Sequence, residues 1–538
     1  MFTNRNALLM GMLFLLLLTS ACAGTATTQT PDSRNESKNN YPPLEEPAAP
    51  LPAGTAYSPE VEAPLSALDS SGQNWGIPSA KRQPYDTFFE DYGVNPSIDT
   101  EDDHLSTFAL DVDTGSYTIM RNYLKDGLQV PPASVRVEEY VNFFDQGYAN
   151  PAAHQAFNIS IDGAPSPFTQ TERYQMLRVG VQGYQVPDYE RKDASLTFVI
   201  DVSGSMDMDN RLGLVKRSLE LLVEQLDRRD TVSIVVYGTD ARVILGPTPG
   251  SDKDAVLSVI YSLRPEGATN AEAGIRLGYR MAMQAYNPEG INRVILCSDG
   301  VANVGNTEAY VILEEIRGYV DEGVTMTTIG FGMDNYNDTL MEQLADNGDG
   351  FYAYVDDMRE AKRLFIDNLT STLQTIAMDA KIQVDFNPEV VARYRLVGFE
   401  NRAIEDDDFR DNSVDAGEIG AGHSVTALYE VKLYPEAYGN IATVFLRWED
   451  PDTRQVVEMS KDFRVADLAR SFERSDPYFQ RSVVVAEFAE ILKESYWAEG
   501  SSFADVYREA LRVSEYFGRD EDMSELLELM RRAGRWVD

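Results

Sequence analysis

The sequence predicts an α/β domain built on a mostly parallel sheet with helices on both faces. A small α+β unit precedes it, and a β-rich unit ending in helices follows. Three observations carry this. From Ala194 to Leu373, short apolar runs alternate with amphipathic stripes, the pattern of strands joined by crossover helices. On either side, apolar residues recur at every second position, as in half-buried strands. After Asp476-Pro477 the period lengthens to that of helices. At 538 residues the chain exceeds one ordinary core and is long enough for about three.

The elements follow in order. Residues 1–21 combine Arg5, an apolar run from Ala7 to Leu18 and the small residues Thr19, Ser20 and Ala21, and read as a signal peptide rather than a membrane span. Cys22 follows, and the segment resembles a bacterial lipobox, with Thr19 where leucine is usual; the resemblance implies that Cys22 is lipidated and becomes the mature N-terminus, anchored to a membrane outside the cytoplasm. Residues 22–84 are rich in Thr, Ser, Asn, Pro and Glu without hydrophobic period, the composition of a disordered tether.

Residues 85–193 form the first folded region. Val137, Tyr140, Val141 and Phe144 recur at helical spacing, while Phe157, Ile159 and Ile161, and then Leu177, Val179 and Val181, alternate. Residues 194–375 form the second. The run Leu196–Ile200 is a buried strand, and Leu212, Val215, Leu219, Leu222, Val223 and Leu226 give one helix face. Strands are predicted at 231–237, 241–245, 293–297, 325–331 and 351–355. The helices between and after them are predicted near 252–263, 270–285, 307–321, 338–346 and 357–371. Residues 376–538 form the third region. Ile382, Val384 and Phe386 alternate, as do Val425, Ala427, Tyr429, Val431 and Leu433, and helical stripes run from Val484 to Met530. Each flank looks incomplete as a sheet alone, so the alternating strands before Ala194 and after Met378 are expected to join into one platform carrying the α/β domain.

Composition excludes several functions. The net charge is -40, from 87 acidic and 47 basic residues, which argues against nucleic acid and against docking on anionic lipid through a charged face. Two cysteines, Cys22 and Cys297, rule out a disulfide framework. The three histidines, His104, His154 and His423, are far apart, which speaks against a histidine-based zinc site. No phosphate-binding Gly-x-x-x-x-Gly-Lys-Ser/Thr loop occurs, so nucleotide hydrolysis has no support.

The chemistry concentrates on one rim of the predicted parallel sheet. Asp201-Val202-Ser203-Gly204-Ser205 follows one apolar strand, Asp299 follows another, and Thr269 sits just before a helix. Ligands bind beyond the carboxyl ends of strands in such folds. Two serine hydroxyls, a threonine hydroxyl and two carboxylates suit magnesium, which takes octahedral oxygen coordination and keeps water. Neutral hydroxyls leave most of the ion's charge uncompensated, so a partner's carboxylate completes the octahedron.

These residues resemble the metal-ion-dependent adhesion site of von Willebrand factor type A domains, whose Rossmann-like fold carries Asp-x-Ser-x-Ser, then Thr, then Asp. The resemblance implies that Ser203 and Ser205 bind the metal directly, Thr269 directly or through water, and Asp201 and Asp299 largely through water. It implies Mg2+ as the cofactor, with Mn2+ or Ca2+ as substitutes, a partner protein presenting an acidic residue, and no catalysis. The segments Leu105–Thr114, Val135–Tyr140 and Ser298–Gly305 are also similar to a bacterial lipoprotein family with dedicated domains before and after the type A domain.

Rival readings are a cell-envelope scaffold in which the metal only holds the strand-end loops, and an aspartic-type peptidase, since Asp113-Thr114-Gly115 follows an apolar strand. The second chemistry needs two carboxylates sharing one proton, and no second Asp-Thr/Ser-Gly occurs. Cys297, in an apolar strand, reads as a core thiol. Asp346–Gly350 and Asp411–Glu418 lack the spacing of a calcium loop and read as turns.

Overall fold

In the first flank, β1 (Ile98–Asp99) and β2 (Leu105–Ala109) are followed by α1 (Gly115–Lys125) and α2 (Val137–Asn142). The alternating apolar residues then form β3 (Phe157–Pro165) and β4 (Tyr174–Gly183). The computed structural model describes residues 89–537 apart from 153–154, 170, 172, 209–210, 301–305 and 333–336. Cys22, the predicted signal peptide and the tether lie outside the described residues. Among the described residues no helix is long and apolar enough to cross a membrane.

The central domain begins with β5 (Ala194–Asp201), buried along its whole length because helices cover both faces. It continues through α3 (Leu212–Gln225), β6 (Thr231–Tyr237), β7 (Ala241–Pro249), α4 (Lys253–Ser262), α5 (Ala271–Gln284), β8 (Ile291–Ser298), α6 (Asn306–Asp321), β9 (Thr325–Gly330), α7 (Asp338–Asp346) and β10 (Tyr352–Tyr354). The sheet order is β10-β9-β8-β5-β6-β7, parallel except for the antiparallel edge strand β7. The expected last helix is broken into α8 (Met358–Lys362), a π-helical turn over Arg363–Asp367 and α9 (Leu369–Leu373). At that turn the Arg363 guanidinium lies 4.1 Å from the centroid of the Phe143 ring, a contact with the first flank that a uniform period does not anticipate.

The second flank supplies β11 (Thr375–Phe386), β12 (Val391–Val397), β13 (Gly417–Gly420), β14 (Ser424–Leu433), β15 (Asn440–Glu449) and β16 (Val456–Arg464), then α10 (Pro477–Leu492), α11 (Phe503–Phe517) and α12 (Glu521–Ala533). Asp476 caps α10 by accepting from the N–H groups of Tyr478 and Phe479, with Pro477 at its first position.

The two flanks share their sheets. One runs β1-β12-β14-β4-β3 and pairs Tyr429 with Leu177; the other runs β13-β11-β15-β16, with β2 also pairing β11. Side chains of both sheets meet in one core that includes Phe157, Val179, Ile382, Val384, Val425 and Tyr429. The platform expected from the incomplete flanks is therefore formed, with the α/β domain inserted between its strands.

Ion pairs, several of them buried, join the platform to the domain. Arg402 of the second flank contacts Asp111 of the first at 2.8 Å and Glu342 and Asp346 of α7 at 2.9 Å each. Arg136 of the first flank reaches Asp338 at 2.6 Å and Glu342 at 2.8 Å on the same helix. Arg121 contacts Asp356, Glu360 and Glu525, linking α1 to the domain's last helical segment and to α12.

Candidate metal centre

The five predicted residues fall on three loops at the carboxyl ends of β5, β6 and β8. Asp201 is the last residue of β5 and is fully buried. Its Oδ1 accepts the Ser203 N–H at 2.8 Å and its Oδ2 accepts the Ser298 hydroxyl at 3.0 Å. One carboxylate thus folds its own loop back and ties β5 to its parallel neighbour β8. Burial pushes the Asp201 carboxyl up to about 6, with nearby Asp299 adding to the rise and the Ser203 and Ser298 hydrogen bonds opposing it.

From Asp201 the site opens outward. Ser203 is buried, Thr269 half-buried and Ser205 exposed. The Ser203 and Ser205 hydroxyl oxygens lie 2.9 Å apart, and Ser205 Oγ donates to Asp299 Oδ1 at 3.1 Å. The hydroxyls and this carboxylate make one chain of hard oxygen atoms reaching solvent at Ser205. Burial raises the Asp299 carboxyl, while Ser205 and Arg211 lower it.

Thr269 arrives on the loop before α5. That loop is pinned to the β5 loop by Gly204 N–H donating to Gly267 O at 3.1 Å, and to the end of β6 by Asn270 N–H donating to Gly238 O at 2.9 Å. Asn270 also caps α5, accepting from Ala273 N–H at 3.1 Å. Gly267 has φ +74°, and a Cβ there would stand 2.3 Å from Thr239 Oγ1, so glycine is what lets this loop close against the strand ends. The structure brings all five predicted residues to one rim.

The donor set fits a hard divalent cation. The hydroxyls keep lone pairs beyond the hydrogen bonds they make, and oxygen ligands of mixed charge are what magnesium takes.

A family model described as von Willebrand factor type A domain matches residues 195–367. The chain carries a von Willebrand factor type A domain. A model described as von Willebrand factor matches residues 83–178, and one described as the C-terminal part of the uncharacterized protein YfbK matches residues 371–438. The uncharacterized protein YfbK of Escherichia coli (strain K12) is 38% identical over 352 residues, covering 64% of this chain and 61% of that protein. The chain thus spans less than two thirds of that relative's length. Human inter-alpha-trypsin inhibitor heavy chain H3 is 27% identical over 215 residues, 38% of this chain and 22% of its own. Among solved structures, a von Willebrand factor type A protein from Catenulispora acidiphila has 15% identity and a TM-score of 0.43, covering 69% of this chain and 89% of that one. Type A domains mediate protein–protein interactions, commonly bind divalent metals and are typically not enzymes.

Other sequence candidates sit elsewhere. Asp113 is buried before α1, where its Oδ1 accepts the Tyr352 N–H at 3.1 Å and Arg402 lies 3.6 Å from Oδ2. Asp111 is held by the same guanidinium at 2.8 Å, while burial and then Asp111 raise the Asp113 carboxyl well above its ordinary value, with Arg402 opposing. Cys297 is a buried free thiol in β8, raised by burial away from reactivity.

Two features escaped the sequence. The turns at Asp346–Gly350 and Asp411–Glu418 are brought together, with carboxylate oxygens of Asp349, Asp415 and Glu418 within 4.8 Å of one another. Arg211, just before α3, is buried and donates to Asp299 Oδ2 and to the Ser205 carbonyl, each at 2.7 Å. A single arginine at a helix boundary has no distinguishing local signal.

Proposed function

We propose that the type A domain is a metal-dependent protein-binding module that captures a carboxylate of a partner protein. The observation that carries this is the convergence of Asp201, Ser203, Ser205, Thr269 and Asp299 on one rim, graded from fully buried Asp201 to exposed Ser205. A divalent ion, Mg2+ in the first instance with Mn2+ or Ca2+ as substitutes, offers an open coordination position to a partner's acidic side chain. Ser203, Ser205 and Thr269 supply neutral oxygens, and Asp201 and Asp299 orient the two serines through the hydrogen bonds described. The reading is of binding and not catalysis.

The test is calorimetric titration of Mg2+ and Mn2+ into the full chain and into Asp201→Ala. Saturable binding in the first, abolished in the second, supports the reading; no binding to the unaltered chain overturns it. A second reading, an envelope scaffold with a structural metal, is favoured by the ion pairs of Arg402 and Arg136 that lock α7 to both flanks. Under that reading a chelator lowers the melting temperature without releasing any partner.

The module is further proposed to be held outside the cytoplasm through lipid on Cys22, on the strength of the apolar run and small residues before it. Cys22→Ser is expected to move the protein from the membrane to the soluble fraction.

A further inference from the structure

The seam between α7 and the platform buries more acid than its arginines neutralise. Arg136 donates to Glu139 Oε1 at 3.1 Å, to Asp338 Oδ2 at 2.6 Å and to Glu342 Oε2 at 2.8 Å. Arg402 donates to Asp111 Oδ2 at 2.8 Å and to Glu342 Oε1 at 2.9 Å, and lies 3.6 Å from Asp113 Oδ2. Glu342 thus joins both guanidinium groups, and carboxylate oxygens of Asp111, Asp113 and Glu342 lie within 4.8 Å of one another. All five carboxylates and Arg136 are buried, and the Arg402 side chain is 14% exposed. Asp338 Oδ1 is buried with no hydrogen-bond partner among the described residues.

Five carboxylates against two guanidinium groups leave three negative charges over if every carboxyl is ionised. Like charges this close and this buried do not all persist, and carboxyls in such a setting retain protons. The surroundings do not offset the excess. Asp346, 40% exposed, adds a carboxylate at the edge, and Asp415 and Glu418 face it from β13 and the loop before it. Glu138 lies beside Glu139, and Lys493 beyond it pairs with Glu400 at 3.0 Å. Tyr92 faces Glu342, and Arg317 of α6, which faces Asp415, is exposed. Burial raises the Asp113 and Glu139 carboxyls; Asp111 adds to both, and Arg402 and Arg136 respectively oppose the rise. On its other side α7 is anchored to its own domain: Met341 and Leu344 share a core with Val294 and Met326 of the sheet, and Thr328 of β9 donates its hydroxyl to Met341 O at 2.8 Å.

We propose that this seam is a proton-loaded latch: protonated, it clamps α7 against both flanks, and as pH rises it sheds protons and the charged face of α7 parts from the platform. A carboxyl raised above its ordinary value binds its proton more tightly in the closed seam than in the open one. Closure is therefore strongest at low pH and is lost as pH rises through about 7, the value to which burial lifts Glu342. The latch is built from residues outside the five at the metal rim and does not depend on the metal-binding reading.

The experiment is hydrogen exchange of the full chain at about pH 6 and about pH 8.5, corrected for the intrinsic exchange rate. The reporters are two amides that donate to latch carboxylates: Ser116 N–H to Glu139 Oε2 at 2.6 Å and Tyr352 N–H to Asp113 Oδ1 at 3.1 Å. The amides of β5 from Leu196 to Ile200 are the control. Opening at the reporters is expected to be about tenfold more favourable at the higher pH, with β5 unchanged. Glu342→Gln and Asp113→Asn each remove one excess charge and are expected to reduce that pH dependence. Equal opening at the two pH values, the same change retained in both variants, or a matching change in β5 overturns the proposal. If neither variant folds, the unaltered chain still decides through the comparison of the reporters with β5.

Discussion

The Ser298 hydroxyl donates to Asp201 Oδ2 at 3.0 Å, joining the carboxyl ends of two adjacent parallel strands at the proposed metal centre. The other oxygen of Asp201 accepts the Ser203 N–H, so a single carboxylate sets the relative position of the β5 and β8 loops. The Ser298 hydroxyl is itself bonded by the Gly300 N–H at 3.1 Å, which extends the same order to the residue after Asp299. Outer residues of this kind orient ligands and tune affinity without touching the ion. Ser298→Ala is therefore expected to weaken Mn2+ binding about 10–100-fold, with the fold retained by circular dichroism. A calorimetric titration beside Asp201→Ala checks it.

The loop that delivers Thr269 depends on Gly267, whose φ of +74° leaves no room for a side chain beside Thr239. Gly267→Ala is expected to cost about 1–2 kcal/mol of stability and to weaken metal binding by moving Thr269 off the rim. Denaturant unfolding gives the first quantity and Mn2+ titration the second. Unchanged metal affinity would show that Thr269 is not a required ligand.

Arg402 pairs with three carboxylates from two parts of the chain: Asp111 of the first flank, and Glu342 and Asp346 of α7. Removing one side of a buried pair leaves uncompensated charge, so Arg402→Ala is expected to destabilise the protein by about 3–5 kcal/mol at neutral pH. Burial, with Asp346 and Asp338 adding and Arg136 and Arg402 opposing, pushes Glu342 up to about 7. In the variant its carboxyl protonates more readily still, so the destabilisation is expected to be smaller at pH 5 than at pH 8. Thermal unfolding at the two values measures the difference.

Asp349 provides a second pH dependence. Burial, and then Asp415 and Asp379, push its carboxyl up to about 7, opposed by Arg454. Its folded pKa lies above the unfolded value near 3.8, so the folded state binds the proton more tightly. The resulting stabilisation is full below about pH 4 and is lost as pH rises through about 7. Asp349→Asn is expected to flatten this part of the stability profile, read as denaturant midpoint against pH.

Much of the central domain was legible locally. Its strands and helices fall within a few residues of their predicted positions, because Leu196–Ile200 and the stripe from Leu212 to Leu226 carry their periods in contiguous sequence. The proposed site was legible for the same reason: Asp201 and Asp299 follow apolar strands directly, and strand ends in a parallel sheet share one rim. The pairing of β4 with β14 and of β2 with β11 was foreseen only as an incompleteness of each flank. Register such as Tyr429 opposite Leu177 is set by cross-strand packing between distant segments, which alternation alone does not specify.

By itself, the sequence determined the α/β class, the five oxygen-bearing residues and their order along the chain, since these depend on local periodicity and on residue chemistry. Only the tertiary structure decided that Arg211 shares Asp299 with the serine loop, that Asp349 meets Asp415 and Glu418, and that Arg402 and Arg136 clasp α7. Those contacts join residues far apart in the chain, and they exist only once the sheets and helices have closed around them.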